Sequence, residues 1–335
     1  MPGRLPLAAS LLITMAAAAS TSARADEPMI KLGIIGCDTS HAIAFTKQFN
    51  NPEAAGELAG MRVVAAFPGG SQDIPASADR VEQFTGELAE MGVQIVDSID
   101  ELLALVDAVL LESVDGRPHL EQVKPVFAAG KRVFIDKPVA GSLADAIEIF
   151  RLSKESEVPC FSSSSLRFSP GILGMRNDER VGKVLGCAAY SPCPLEPHHP
   201  DLFWYGIHGV ETLYTIMGPG CVSVTRAATG DTDLVTGVWK DGRIGTYRGL
   251  RGGAQPYGAL VFGEKGVVPS GTYAGYEPLV VEIARFFKTG VPPVSPEETI
   301  EIIAFMEAAD ESKRQGGAPV TLESVIAAAT QPGDQ

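Results

Sequence analysis

Apolar runs and amphipathic stretches alternate along the first half of the chain, and their order predicts its elements. Ile30–Ile35 is apolar except at Lys31 and Gly33 and reads as a buried strand. It ends at Gly36, turns through Cys37-Asp38-Thr39-Ser40 and enters a helical pattern over 40–50. A second strand is expected over 62–67, followed by Pro68-Gly69-Gly70-Ser71 and a helix over 77–91. Short strands at 94–96, 108–112, 132–135 and 159–163 alternate with helices starting near Ser98, at His119 and at Leu143. Ser98-Ile99-Asp100-Glu101 carries a capping pattern, and Gly130 suits a C-cap. Such alternation predicts a doubly wound parallel sheet.

From Gly182 the pattern changes. Residues 183–190, 221–228, 234–239, 244–248 and 259–262 read as strands, with Asp241-Gly242 as a hairpin turn. One helix interrupts them over 206–217, and helices over 276–288 and 296–314 are expected to close the chain. The expectation is an α/β protein with a Rossmann-like domain over 26–165. An α+β domain with an open, mostly antiparallel sheet follows over 166–335.

Composition adds bounds. The chain has 335 residues, 45% hydrophobic and 20% charged, which describes a folded globular protein. Its net charge of −14 argues against nucleic-acid or anionic-membrane partners. Arg4, the apolar stretch 5–19 and Ala23-Arg24-Ala25 form a signal-peptide pattern with cleavage before Asp26. Export to the periplasm, without membrane attachment after cleavage, is expected; translation from Met29 would instead give a cytoplasmic protein. The five cysteines are odd in number and lack CxxC spacing. Cys187 and Cys193 flank a short segment and could pair, but small buried apolar residues are the simpler reading.

The turn after the first strand is where dinucleotide-binding units hold a pyrophosphate on backbone N–H groups and a helix dipole. Gly36, Cys37, Asp38, Thr39 and Ser40 are therefore the candidate cofactor contacts. The G-x-G-x-x-G fingerprint is broken, with Asp38 and His41 at the second and third glycine positions. Asp38 either competes for the phosphate's donors or caps the helix while Thr39 and Ser40 take the phosphate. No acidic residue ends the second strand to hold a ribose 2′-OH. The Gly69-Gly70-Ser71 amides could accept a 2′-phosphate, assisted by Arg80, which leans toward NADP over NAD.

Three segments resemble the glucose–fructose oxidoreductase / inositol dehydrogenase (Gfo/Idh/MocA) family. They are the Gly33–His41 turn, the block from Arg117-Pro118-His119 through Ala129-Gly130-Lys131 to Asp136-Lys137-Pro138, and Tyr205-Gly206-Ile207-His208-Gly209-Val210-Glu211. The resemblance implies a Rossmann domain, an open-sheet domain often used for homo-oligomer contacts, and a small carbohydrate-like substrate. It implies that Lys137 lies near nicotinamide and substrate, and that His208 carries a proton. The residues agree with this. Lys137 follows a buried strand at the carboxyl edge of the sheet, where ligands of such folds bind, and imidazole titrates near neutrality.

The chain departs from the family at two points: Asp136 replaces a usual Glu, and Trp204 stands four residues before His208 where the family has Asp. Asp201 or Tyr205 could substitute for that aspartate. Arg167 matches an arginine-rich family turn and could hold a substrate carboxylate or phosphate, or bridge domains. Glu211 shares a helix face with His208, and Glu112 and Asp115 could face the cofactor. His198, His199 and Asp201, with His208 and Glu211, match no established zinc spacing, so no metal is expected.

The expected function is NAD(P)-dependent hydride transfer on a sugar, cyclitol or related polyol. Lys137 and His208 would act at the reacting hydroxyl, with Arg167, Asp201, Tyr205 and Glu211 around the substrate. The alternative is an exported carbohydrate-binding protein, or a lyase or hydrolase, on the same fold with impaired dinucleotide binding. Asp38, Trp204 and the signal peptide motivate it.

Overall fold

The computed structural model describes Gly3 and residues 29–331, so the signal-peptide segment lies outside the described residues. The first half alternates strand and helix as expected. Its elements are β1 (Ile30–Ile35), α1 (Ser40–Phe49), β2 (Met61–Phe67), α2 (Pro75–Glu90), β3 (Gln94–Ile95), α3 (Ile99–Leu105), β4 (Ala108–Leu111), α4 (His119–Ala128), β5 (Arg132–Ile135), α5 (Leu143–Glu155) and β6 (Cys160–Ser162). The six strands form one parallel sheet in the order β3-β2-β1-β4-β5-β6. The order reverses beside β1, which opens a crevice at the carboxyl ends of β1 and β4. Ser98 and Ser142 cap α3 and α5 by accepting from the amides of Glu101 and Asp145.

Strand periodicity divides the core. Leu32 and Ile34 of β1 point into one apolar cluster, Ile35 into another. Both faces of the sheet are covered, which is why its strands read as nearly continuous apolar runs.

The second half contains α6 (Pro170–Leu173), β7 (Val184–Pro192), α7 (Asp201–Trp204), α8 (Ile207–Met217), β8 (Cys221–Ala228), β9 (Thr232–Trp239), β10 (Ile244–Leu250), β11 (Gly258–Gly263), β12 (Val267–Pro269), α9 (Glu277–Thr289), α10 (Pro296–Arg314), β13 (Val320–Thr321) and α11 (Leu322–Thr330). Its seven strands run β12-β11-β7-β10-β9-β8-β13. Every pair is antiparallel except β7–β10. Helix α8 is buried at every position and packs on β7 and β10. Gly209 makes this approach possible: a Cβ there would lie 2.2 Å from the Tyr247 ring. The opposite face of the sheet stays open, with Val238, Ile244, Leu260, Phe262 and Val267 exposed.

Helix α9 returns to the first sheet, where Leu279, Ile283 and Phe286 pack with Leu32, Phe134 and Phe161. Helix α10 lies against β8 and contacts α5, α8 and α11. The short elements β12, β13 and α11 go beyond the two closing helices expected. Strands of two or three residues carry no readable period, and α11 is an Ala-rich helix with only Leu322 and Val325 buried. All five cysteines are free and buried, so Cys187 and Cys193 do not pair. No described helix is long and apolar enough to cross a membrane.

Candidate active site at the domain junction

A cavity of about 410 Å³ lies where the second half of the chain meets the carboxyl ends of the first sheet. Thr39, Ser40, His41 and Lys137 line it from the first sheet, and Trp204, Tyr205 and His208 from α7 and α8. Tyr257, Tyr273 and Tyr276 complete an aromatic wall. Tyr205 and Tyr257 share a hydroxyl hydrogen bond of 3.0 Å, and Ser165 donates to the Tyr273 hydroxyl at 3.2 Å. Burial pushes Tyr273 up to about 12 and Tyr257 further, so both stay protonated. Such a wall offers ring faces and O–H donors, a chemistry suited to a polyol.

Lys137 follows β5 and is 6% exposed, which places its side chain against the cavity rather than in bulk solvent. His208 sits in the first turn of α8, also 6% exposed, with Nδ1 2.7 Å from Ser164 Oγ. Burial foremost, then the Lys137 charge, holds this imidazole well below its ordinary value, hence neutral at pH 7. The two expected catalytic residues thus face one cavity. Tyr205 stacks edge-on to His208 with ring centroids 4.8 Å apart, and Trp204 lines the same space without a proton to give from a carboxyl group.

The glycine turn resolves the Asp38 question. Thr39 caps α1, accepting from the His41 amide at 3.3 Å. Asp38 instead turns inward, accepting from Ser77 Oγ at 2.6 Å and the Val114 amide at 3.0 Å. Burial raises its pKa, and these hydrogen bonds offset part of that rise. The carboxylate therefore does not compete for the donors that start α1, and Thr39 and Ser40 open on the cavity. The Gly36 and Cys37 amides are taken by the Phe67 and Pro68 carbonyls. Gly36 has φ +94°, and a Cβ there would lie 2.3 Å from the Ser113 nitrogen. Gly36→Ala is expected to lower unfolding free energy by ~3 kcal/mol, combining left-handed strain and overpacking; urea denaturation with an unchanged m-value checks this.

The 2′-phosphate expectation meets competing contacts at Ser71. Ser71 donates its amide to Ser77 Oγ and its hydroxyl to Asp115 at 2.5 Å. Neither donor is left for a phosphate, and neither Ser71 nor Gly69 or Gly70 lines the cavity. Arg117 is shared between Asp73 and Asp115. Burial raises Asp115, but His199, Arg117 and Ser71 outweigh it and hold the carboxyl well below its usual range. Arg80 does stand at the cavity, and no ion pair engages it among the described residues.

Several expected site residues lie elsewhere. Arg167 contacts Glu211 and, at 2.8 Å, Glu298; Glu211 also accepts from Ser163. That buried triad ties α8 to α10, so Arg167 and Glu211 serve packing and not the cavity. Asp201 pairs with Arg226 at 2.9 Å and Lys313 at 2.5 Å, away from the cavity. His198 pairs with Glu196. His199 Nε2 is 3.0 Å from Asp115 yet makes no aligned hydrogen bond. These groups do not converge. His119 bonds two backbone carbonyls and is structural.

A different cluster was not expected. His41 Nδ1 bonds Asp136 Oδ2 at 2.7 Å, and Glu112 lies beside them, each offering an atom within 4.8 Å of the others. Burial and the Asp136 charge push Glu112 well above its ordinary value. Burial works against Asp136 ionising, but His41 and Lys137 outweigh it and bring its pKa down. The sequence offered one signal for His41, its substitution for a glycine; Tyr257, Tyr273 and Tyr276 gave none.

A parallel sheet of order 3-2-1-4-5-6, a helix start and a lysine at its carboxyl edge, and an open second sheet define an α/β protein with a Rossmann-type first half. Residues 30–164 match the model of the Gfo/Idh/MocA family, described as an oxidoreductase family with an NAD-binding Rossmann fold. The match is confined to those residues, which hold the first parallel sheet. It is 28% identical over 156 residues to an uncharacterized oxidoreductase of Streptococcus pneumoniae, covering 44% of this chain and 42% of the relative. It is 28% identical over 135 residues to 1,5-anhydro-D-fructose reductase of Ensifer adhaerens, covering 38% and 40%. The matched stretch thus spans about two-fifths of these relatives' length. The crystal structure of apo scyllo-inositol dehydrogenase from Lactobacillus casei superposes with a TM-score of 0.71 over 88% of this chain and 99% of that one, at 14% identity. That last likeness is one of fold.

Proposed function

We propose that the protein is an NAD(P)-dependent oxidoreductase acting on a sugar, cyclitol or related polyol. The observation that carries this reading is the convergence of Lys137 and His208 on one tyrosine-walled cavity beside the start of α1. The sugar reductase and the inositol dehydrogenase among its relatives and neighbours support the substrate class. Thr39, Ser40 and the first turn of α1 would hold the pyrophosphate, since the free N–H groups of a helix start and its dipole favour an anion. The nicotinamide, when bound, supplies the hydride acceptor or donor.

Lys137 donates to the substrate oxygen and favours its alkoxide. With Nδ1–H donating to Ser164, His208 presents the lone pair of Nε2 to the hydroxyl proton. The inward turn of Asp38 removes the main argument for impaired dinucleotide binding. The engaged Ser71 takes away one of the donors expected for a 2′-phosphate, and the NAD-binding description of the matched family model favours NAD. The exposed apolar face of the second sheet supports self-association there. Export rests on the signal-peptide pattern alone.

The test is a fluorescence or calorimetric titration of the purified protein with NAD(H) and NADP(H). Saturable binding that is tighter for NAD(H) is expected, and oxidation of at least one polyol by the bound form. No binding of either dinucleotide up to millimolar concentration would overturn the reading.

A further inference from the structure

We propose that His41, Glu112 and Asp136 form a site for one divalent cation of the Mn²⁺, Fe²⁺ or Zn²⁺ class. The three residues come from the start of α1, the end of β4 and the end of β5, converging at the carboxyl edge of the first sheet. Each offers one ligand atom, and these atoms lie within 4.8 Å of one another. An ion at about 2.0–2.2 Å from each needs its ligand atoms no more than ~4.4 Å apart, so the side chains would close by a few tenths of an ångström on binding. One imidazole with two carboxylates suits a borderline metal better than Ca²⁺ or Mg²⁺, which take all-oxygen sets.

The second observation comes from Glu112 itself. It is 0% exposed, and both of its carboxylate oxygens lack any hydrogen-bond partner. Asp136 is also 0% exposed; His41 holds its Oδ2, and its Oδ1 has no partner. Three buried carboxylate oxygens are thus orphaned in one place. Buried polar groups left without partners cost free energy and ask for a missing ligand. Two carboxylates stand here against the Lys137 ammonium and the His41 imidazole, and a bound cation would add positive charge beside them. A cation bound to one oxygen of each carboxylate would partner atoms that no protein donor reaches.

The readout, cation binding by the dinucleotide-free protein, requires neither bound dinucleotide nor hydride transfer, although His41 lies in the first turn of α1. The experiment uses protein prepared without metal-affinity media and stripped with EDTA. Mn²⁺ is titrated and followed by loss of the free-ion signal in electron paramagnetic resonance, with Zn²⁺ followed by calorimetry. One saturable site per chain is expected, weakened at least ~10-fold in Glu112→Gln. The isosteric amide replaces a buried carboxyl without leaving a cavity, so that variant should stay folded, and a folded E112Q that binds equally would overturn the proposal. An infrared spectrum supplies the second measurement. A protonated-carboxyl band assigned to Glu112 by its absence in E112Q should vanish when the cation is added. Persistence of that band at saturating Mn²⁺ and Zn²⁺, or no saturable site for either ion, would also overturn it.

Discussion

Replacing Lys137 by alanine is expected to lower kcat/KM for the best polyol by a factor of ~10²–10⁴ while leaving NAD(H) affinity within a few-fold. That corresponds to ~3–5 kcal/mol of lost transition-state stabilisation. The size follows from where the residue stands. Lys137 is 6% exposed at the end of a buried strand, facing a cavity shared with His208 and four tyrosines. A cation in so enclosed a place acts through a lower effective dielectric than at the surface. It favours negative charge developing on the substrate oxygen more than the neutral hydroxyl, so its loss should appear in kcat. His208→Ala should cost less, because a neutral imidazole contributes proton transfer without a fixed charge. The comparison requires steady-state kinetics of both variants and a dinucleotide titration of each. An unchanged kcat in Lys137→Ala would mean that the lysine serves the fold and that the chemistry lies elsewhere in the cavity.

The first domain was legible because each of its signals is local. Apolar runs gave the strands, Ser98 a helix start, and Asp136-Lys137-Pro138 the edge where ligands bind. The second sheet was legible in its long strands and not in β12 and β13, which exist only as edge pairs of β11 and β8. The cavity was half legible. Lys137, Tyr205 and His208 were named from motif position, and they do converge. Tyr257, Tyr273 and Tyr276 follow from no motif, since tertiary packing alone brings them within reach of His208. Charged residues misled for the opposite reason. Arg167, Asp201 and Glu211 are chemically able to bind a substrate, but each finds a partner inside the protein. Nothing in one sequence tells a buried ion pair from a ligand contact. Asp38 shows the same limit: its type was informative, but only the fold places Ser77 and the Val114 amide to receive it.

Arg226→Leu is expected to destabilise the protein by ~3–5 kcal/mol at pH 8, through the carboxylates it leaves behind. The guanidinium is fully buried and bonds Asp233 at 2.8 Å, Asp201 at 2.9 Å and Asp310. It thereby joins β8 and β9 to α10 and to α7, the helix that ends at Trp204 beside the cavity. Arg251 also reaches Asp233, and Lys313 reaches Asp201, so Asp310 depends most on Arg226. Burial foremost raises Asp310 to about 7; Arg226 pulls it back, Asp201 and Glu307 add to the rise, and Arg314 opposes it. The close contact with Arg226 favours the ionised form, but three carboxylates share that guanidinium, and the upward direction stands.

A carboxyl whose folded pKa lies above its unfolded value of ~3.9 keeps its proton longer in the folded state, so stability falls as pH rises between the two values. Without Arg226 the folded pKa moves further up and the decline runs on to higher pH. The deficit of the variant should therefore be small near pH ~4 and reach its full size only above neutrality. Urea denaturation of both proteins across that range measures it. A deficit that stays constant with pH would assign the loss to the packing of the arginine stem, and the carboxylates would then be neutral partners in holding α7 against the sheet.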